Sequence, residues 1–153
     1  MADAGLNAIE KAIFARLNDA SVTALVPAAR HMNGVVRPST TYPVILVAYM
    51  GSDPNGIDSF SGDAETLDYA IRGYVEDEYS LETASDIAEA IDARLNGVTL
   101  TATGYAGGIF GIRRQRWLRG IEVHYREPFR PESETAKPYP YAGAVYRLWV
   151  QRS

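Results

Sequence analysis

Residues 80–97, Ser-Leu-Glu-Thr-Ala-Ser-Asp-Ile-Ala-Glu-Ala-Ile-Asp-Ala-Arg-Leu-Asn-Gly, decide the fold because they predict a long amphipathic helix between two groups of strands. Apolar residues recur at spacings of three and four, which places them on one stripe of a helix. Ser80 suits the N-cap, and Glu82 in the first turn meets the positive end of the helix dipole. Asn96-Gly97 supplies the C-terminal stop. The buried stripe is predicted to comprise Leu81, Ala84, Ile87, Ile91 and Leu95.

An earlier amphipathic helix is predicted over Leu6–Leu17. Its first and last residues share one stripe with Ile9 and Ile13, again at spacings of three and four. Residues 21–26 predict one further turn, which Pro27 ends. The chain therefore opens with a helix that has one apolar face to bury.

Strands are predicted on both sides of the second helix. Val44–Met50 is almost continuously apolar, which is typical of a strand covered on both faces. Thr66–Val75 alternates between apolar and polar residues, which predicts a single buried face. Beyond the helix, strands are predicted at residues 98–103, 112–118, 121–125 and 144–151, with a glycine-rich bend at 104–111, a turn at Arg119-Gly120 and an irregular segment at 126–141.

Together these elements predict one α+β domain over residues 1–153, with a mixed, mainly antiparallel sheet of four to six strands packed against two amphipathic helices. The hydrophobic fraction of 46% and the charged fraction of 22% are ordinary for a soluble globular protein. Absence of cysteine excludes disulfides, thiolate catalysis and cysteine-based zinc sites. No apolar run is long enough to span a membrane, and no secretory signal is visible, so we expect a cytoplasmic origin.

Charge is divided unevenly along the chain. Residues 1–97 hold six Lys/Arg and fifteen Asp/Glu, a balance of −9, whereas residues 98–153 hold nine and four, a balance of +5. Two interpretations remain open: chance distribution over a mixed surface, or a subunit with an acidic and a basic face. The second would let copies of the chain dock head to tail.

No set of residues in the sequence predicts catalysis, a metal site or a cofactor. His31 and His124 lie far apart, and neither has a second histidine at helical spacing. The stretch from Asp53 to Asp58 lacks the ligand spacing of a calcium loop. The glycines between Gly104 and Gly111 lack the lysine and the following helix of a phosphate loop. The chain is therefore not predicted to be an enzyme.

The basic stretch Arg-Arg-Gln-Arg-Trp-Leu-Arg, which starts at Arg113, is the strongest candidate for a binding surface. Strict alternation would place Arg113 and Arg119 on the face of Trp117, and Arg114 and Arg116 on the opposite face. Arginines beside a tryptophan suit a nucleic-acid backbone and its bases. They also suit a protein interface, which we favour because the whole chain is acidic.

The order of elements resembles the tail terminator (tail completion) proteins of long-tailed bacteriophages. The resemblance covers most of the chain and is firmest up to about residue 103. It lies in the opening helix that ends at Ala15-Arg-Leu-Asn, the segment Val22-Thr-Ala-Leu-Val, the strand Tyr42-Pro-Val-Ile, the strand Leu67–Tyr74, and residues 83–97 before a Thr-Leu strand.

The resemblance implies a structural subunit of a ring, commonly a hexamer, at the head-proximal end of the tail tube. Such a ring ends tube polymerisation and joins the tail to head-completion proteins, while the genome passes through it without sequence-specific binding. The implied partners are further copies of the chain, the tail tube protein and a head-completion or stopper protein, with no cofactor and no membrane. The implied location is the virion tail or neck, after assembly in the host cytoplasm. A head–tail adaptor or stopper and a nucleic-acid-binding module remain the alternatives.

Interface residues are expected on the basic stretch and on two long segments, Gly51–Glu65 and Glu127–Tyr141, which we interpret as docking arms. Both segments are longer than ordinary connections between strands, and the ten tyrosines of the chain suit contact surfaces. The candidate interface residues are Asp53, Asn55, Asp58, Phe60, Arg113, Arg114, Arg116, Trp117, Arg119, Phe129, Tyr139 and Tyr141.

Overall fold

The fold is an α+β domain built on a six-stranded mixed sheet. The computed structural model describes residues 6–34, 41–53, 64–76, 81–125 and 136–151. The helices are α1 (Leu6–Leu17), α2 (Ala20–Thr23) and α3 (Leu81–Leu95), with a 3-10 turn at Ala28–Arg30. The strands are β1 (His31–Asn33), β2 (Val44–Asp53), β3 (Ala64–Tyr74), β4 (Leu100–Ala102), β5 (Tyr105–Tyr125) and β6 (Ala136–Gln151).

Strand order in the sheet is β1-β2-β3-β6-β5-β4. β1 runs parallel to β2, and every other neighbouring pair is antiparallel. The prediction of a mixed, mainly antiparallel sheet against two amphipathic helices is therefore confirmed.

Both long helices form where their periodicity predicts, and both bury most of the predicted stripe against one face of the sheet. In α1, Ile9, Ile13 and Leu17 are fully buried. The stripe of α3 is equally buried from Ala84 to Leu95. These side chains share one core cluster with Ile45 and Val47 of β2 and with the inward residues of β3 and β6. Each Leu or Ile buried in this way contributes about 1.5–3 kcal/mol relative to an exposed position.

The opposite face of the sheet is also covered near one end, so the prediction of a single buried face for β3 is wrong. Tyr74 is fully buried there, in a second cluster with Met32 of β1 and Tyr139 of β6. Tyr42 lies flat on Tyr139, with ring centroids 4.0 Å apart. The second cluster also takes in Val44, so β2 is covered on both faces as its apolar run predicts.

The C-terminal half contains longer strands than the sequence predicts. The glycine-rich residues 105–111 and Arg119-Gly120 all lie inside β5, which is one strand of 21 residues. Gly120 pairs with Tyr141, and a Cβ at Gly120 would lie 2.9 Å from the Tyr141 hydroxyl. Gly120 therefore leaves space for the aromatic ring of Tyr141 and does not form a turn.

β6 likewise begins at Ala136, inside the segment predicted to be irregular. Its prolines are compatible with pairing because of their orientation. The Pro140 carbonyl accepts a hydrogen bond from the Val75 N–H, so the backbone groups of Pro140 point towards the β3 side. The missing proline N–H therefore removes nothing from the ladder between β5 and β6.

Candidate functional site

The basic stretch lies in the middle of β5 and contains a β-bulge. Arg114 is opposite Tyr146 of β6, whereas Arg116 is opposite the preceding residue, Val145, so Gln115 is the extra residue. A bulge of one residue exchanges the faces of all side chains beyond it. The alternation predicted from the sequence therefore fails within this stretch.

Directly opposed residues of an antiparallel pair share a face, so β6 reveals where each β5 side chain points. Trp117 is opposite Ala144, which belongs to the core under the helices. Arg114 is opposite Tyr146 of the same core, so Arg114 and Trp117 share the helix-covered face. Arg119 keeps its predicted place beside Trp117, whereas Arg113 and Arg114 have exchanged faces because of the bulge.

Arg114 is fixed by contacts within its own subunit. Its Nη1 donates a hydrogen bond of 2.7 Å to Asp92 Oδ2 on α3, and its guanidinium carbon lies 4.2 Å from the Trp117 ring centre. The Arg114 backbone N–H donates to Asn96 Oδ1 at 2.9 Å. The Arg114 charge is therefore already paired with Asp92 within the subunit, and a contact of Arg114 with another chain stays a prediction.

Tyr146 completes this small polar network. Its hydroxyl donates a hydrogen bond of 2.9 Å to the other Asp92 oxygen, Oδ1. Burial, together with the neighbouring Asp92 charge, raises the pKa of the Tyr146 hydroxyl, so it remains a protonated donor. Asp92 therefore links α3 to both β5 and β6 by hydrogen bonds. The Arg114 guanidinium, which Asp92 holds in place, packs on the ring of Trp117.

Trp117 and the residues beyond it present an apolar surface with basic neighbours. Trp117 is 49% exposed and Ile121, four residues further along β5, is 58% exposed. Trp117 and Arg119 line a groove against Ala88 and Glu89 of α3. Arginine and tryptophan that are exposed together on a rigid strand are typical anchors of protein interfaces.

Arg113 and Arg116 lie on the other face of β5 and are exposed. Arg113 is directly opposite Arg147 of β6, whose Nε donates a hydrogen bond of 2.9 Å to Asp68 Oδ1 on β3. Among the described residues, Arg113, Arg116 and Arg119 form no ion pair. These three arginines therefore remain candidates for contact with another chain.

The remaining candidate interface residues divide into three groups. Tyr139 is buried and Tyr141 is half-buried, with its ring 5.3 Å from that of Tyr74, so both belong to the second core cluster. The interpretation of Tyr139 as a surface residue is wrong, because β6 starts earlier than predicted. Asp53 ends β2. Asn55, Asp58, Phe60 and Phe129 lie outside the described residues.

Among the exposed apolar side chains that sequence reasoning missed are Tyr49 at 39%, Met50 at 50% and Ile121 at 58%. Tyr49 and Met50 follow the part of β2 that β1 covers. For these two residues the sequence contains a signal, because the apolar run that begins at Val44 continues as far as Met50. The run is therefore longer than the part of β2 that is covered on both faces. Which of these residues lie at an edge depends on strand order, and the sequence alone does not give that order.

His31 has a structural role. Its Nε2 lies 3.0 Å from the Val26 carbonyl oxygen, and burial lowers the pKa of its imidazole. No group of three metal-binding side chains occurs among the described residues. Within the same part of the chain, none of the helices is long and apolar enough to cross a bilayer.

One known protein family matches most of the chain. The family model described as Tail completion protein gp17 matches residues 11–127, which is most of the chain. The chain belongs to this family. It is accordingly a structural protein of a bacteriophage tail, and the resemblance inferred from the order of its elements is confirmed. A search of curated proteins finds no significant match.

Solved structures agree on the fold. A chain of the virion of a native gene transfer agent particle aligns with a TM-score of 0.63 at 20% identity, over 95% of this chain and 96% of its own. A second solved chain aligns with a TM-score of 0.49 at 14% identity, over 94% and 95%, and adds nothing to the assignment. The similarity to the particle chain shows that the whole fold, including β5 and β6, occurs in a virion component.

Proposed function

We propose that this tail completion protein is a terminator, a non-enzymatic subunit that forms a ring at the head-proximal end of the tail tube. The ring, commonly of six copies in proteins of this kind, ends tube polymerisation and joins the tail to head-completion proteins. Its partners are further copies of itself, the tube protein and the head-completion protein. The genome passes through the ring without sequence-specific binding, and assembly takes place in the host cytoplasm.

The observation that carries this proposal is the surface around Trp117. Trp117 and Ile121 are exposed on a strand that also exposes Arg113, Arg116 and Arg119. The network at Asp92 holds this surface rigid without any bound partner, which lowers the entropic cost of association. A surface of this chemistry suits a protein partner with acidic side chains around an apolar pocket.

The charge division supports a head-to-tail contact. The exposed face of α3 carries Glu82, Asp86 and Glu89, whereas β5 carries the exposed arginines. A contact between two different surfaces of identical subunits generates a ring when the rotation closes. The two long segments, Gly51–Glu65 and Glu127–Tyr141, are proposed as docking arms that contact the tube or the head-completion protein.

The experiment that tests this function is a tube-capping assay. Tube protein is allowed to polymerise with and without the chain, and tube lengths and ends are measured by electron microscopy. We expect shorter tubes, each carrying a ring at one end. Unchanged tube lengths and bare ends would refute the terminator role, and binding to head-completion protein alone would point to a stopper instead.

A loop variant separates folding from joining. Residues 54–63 are replaced by a short glycine-serine linker between β2 and β3, which are paired from Val44–Tyr74 to Asp53–Thr66. We expect unchanged thermal unfolding but loss of tail joining, scored as virion yield in a complementation assay. Normal yield would refute the role of this segment as a docking arm.

A further inference from the structure

Among the described residues, the sheet is incompletely covered at both of its edges. At one edge, β1 pairs only with Ile45–Val47. In the described part of the chain, residues 48–53 of β2 therefore have β3 on one side and no strand on the other. At the other edge, β4 and the end of α3 cover β5 only as far as Arg114, where Asn96 takes the backbone N–H. From Arg116 onward, the outer edge of β5 has no neighbour among the described residues either.

Open strand edges present hydrogen-bonding groups that demand a partner. In a paired strand, alternate residues aim their N–H and C=O groups away from the neighbour that is already present. Proteins usually protect such edges with prolines, bulges or charges, since an open edge is a template for another strand. Here the β2 edge exposes Tyr49 and Met50 at a bulge, and the β5 edge exposes Trp117 and Ile121 together with the charges of Arg116 and Arg119.

The strand directions make the two edges compatible in a ring. β2, β3, β6 and β5 are each antiparallel to the next, so β5 runs opposite to β2. Rotation about a ring axis preserves the direction of a strand relative to that axis. The β2 edge of a neighbouring copy therefore meets β5 in the antiparallel sense, which is the more stable pairing.

We propose that residues 48–53 of β2 in one subunit, in which Met50 is the extra residue of a bulge, pair antiparallel with β5 within residues 116–121 of the next copy of this chain. The subunits of the ring then share one continuous sheet. This inference rests on the proposed ring and names the contact that closes it. The occupant of each open edge is the other edge of a second copy.

The offset between the two open stretches agrees with a closed sheet. Through β3 and β6, Gly51 lies level with Arg113, whereas the open part of β5 is centred near Leu118. The difference of about five residues corresponds to ~17 Å along the strands. Across four strands spaced ~4.8 Å apart, this offset implies a tilt of ~40°, within the range of about 35–45° seen in closed sheets.

The covered parts of the two edges do not obstruct this pairing. In the antiparallel arrangement, β1 of the neighbour lies beyond Ile121, and the end of α3 lies before Arg116. The part of β2 that β1 covers begins where the open stretch of β5 ends, and the part of β5 that α3 covers begins where the open stretch of β2 ends. These covered parts limit how far the two strands can slide, which fixes the register of the contact.

Cysteine cross-linking tests this contact without background, because the chain contains no cysteine. Met50→Cys is mixed in turn with Trp117→Cys, Arg119→Cys and Ile121→Cys under ring-forming conditions, followed by mild oxidation. A disulfide requires Cα atoms about 4.4–6.8 Å apart, so the position that cross-links reports the register. The matched control mixes Ile121→Cys with Leu25→Cys, whose side chain is 37% exposed and lies far from β2 in sequence.

We expect a band at twice the protomer mass of 16.8 kDa in at least one mixture with Met50→Cys, and none with either variant alone or with the control. Cross-linking of Met50→Cys or Ile121→Cys with itself would overturn the proposal, because it indicates a two-fold contact. Rings that form without any cross-link between the edges would overturn the shared sheet while leaving the terminator function intact. Failure to form rings, on tubes or free, would overturn both.

Discussion

Replacing Asp92 with alanine tests whether one carboxylate joins the helix layer to the strand that carries Trp117. Its two oxygens accept hydrogen bonds from Arg114 at 2.7 Å and from Tyr146 at 2.9 Å. A hydrogen bond to a charged group contributes about 1.5–3 kcal/mol. The Arg114 side chain is 31% exposed, so solvent screening reduces its share to about 1 kcal/mol. We therefore expect Asp92→Ala to lower the free energy of unfolding by about 2–4 kcal/mol.

Equilibrium unfolding in urea measures this change, and Asp86→Asn on the exposed side of the same helix is the matched control. The control is expected to shift the free energy of unfolding by no more than about 0.5 kcal/mol. Tyr146→Phe alone is expected to cost about 1–2 kcal/mol, and in an Asp92→Ala background almost nothing, because its acceptor has already gone. Equal effects of Asp92→Ala and the control, or full additivity with Tyr146→Phe, would contradict the network.

Three further predictions follow from the same geometry. Gly143→Ala should lower the free energy of unfolding in urea by more than about 3 kcal/mol, because the new Cβ would lie 2.0 Å from the Ile71 carbonyl oxygen. Gly111→Ala, whose Cβ would meet the Trp149 side chain at 3.4 Å, should lower it far less. Equal effects of the two variants would count against the close approach of the strands at Gly143. Burial raises the pKa of Tyr69 above its ordinary value of 10.0, so the stability that its protonated hydroxyl contributes below pH 10 is lost as the pH rises further. Tyr69→Phe should make the fall of unfolding free energy with pH above pH 10 shallower by about 1.4 kcal/mol per pH unit. An unchanged slope would show that the hydroxyl ionises freely in the fold. Trp117→Ala should lower the free energy of unfolding by about 1–2 kcal/mol, because half of the side chain is buried and its contact with Arg114 is lost, yet it should abolish rings in the tube-capping assay. Rings that persist would remove Trp117 from the interface.

Local signals made the helices predictable. The stripes of α1 and α3 follow a period of three to four residues, and Asn96-Gly97 ends the second helix within its own sequence. The bounds predicted for α1, Leu6–Leu17, are those of the structure. Such features depend on a few neighbouring residues, so a single sequence contains them.

The C-terminal strands were less predictable because their signals lie in partner strands. Gly120 and Pro140 are typical of turns, yet both sit inside strands where Tyr141 needs space and Val75 needs an acceptor. The bulge at Gln115 leaves no mark on the sequence, although it decides which arginine meets Asp92. The sequence therefore places the arginines and Trp117 in one strand, as in the structure, but assigns Arg113 and Arg114 to the wrong faces.

The most direct test of the account is the position and copy number of this chain on assembled tails. Tails are grown with the tagged protein and imaged by cryo-electron microscopy. We expect one closed ring of several copies at a single end of every finished tube, with continuous sheet density across each subunit boundary. Protein distributed along the tube, or isolated copies at both ends, would contradict it.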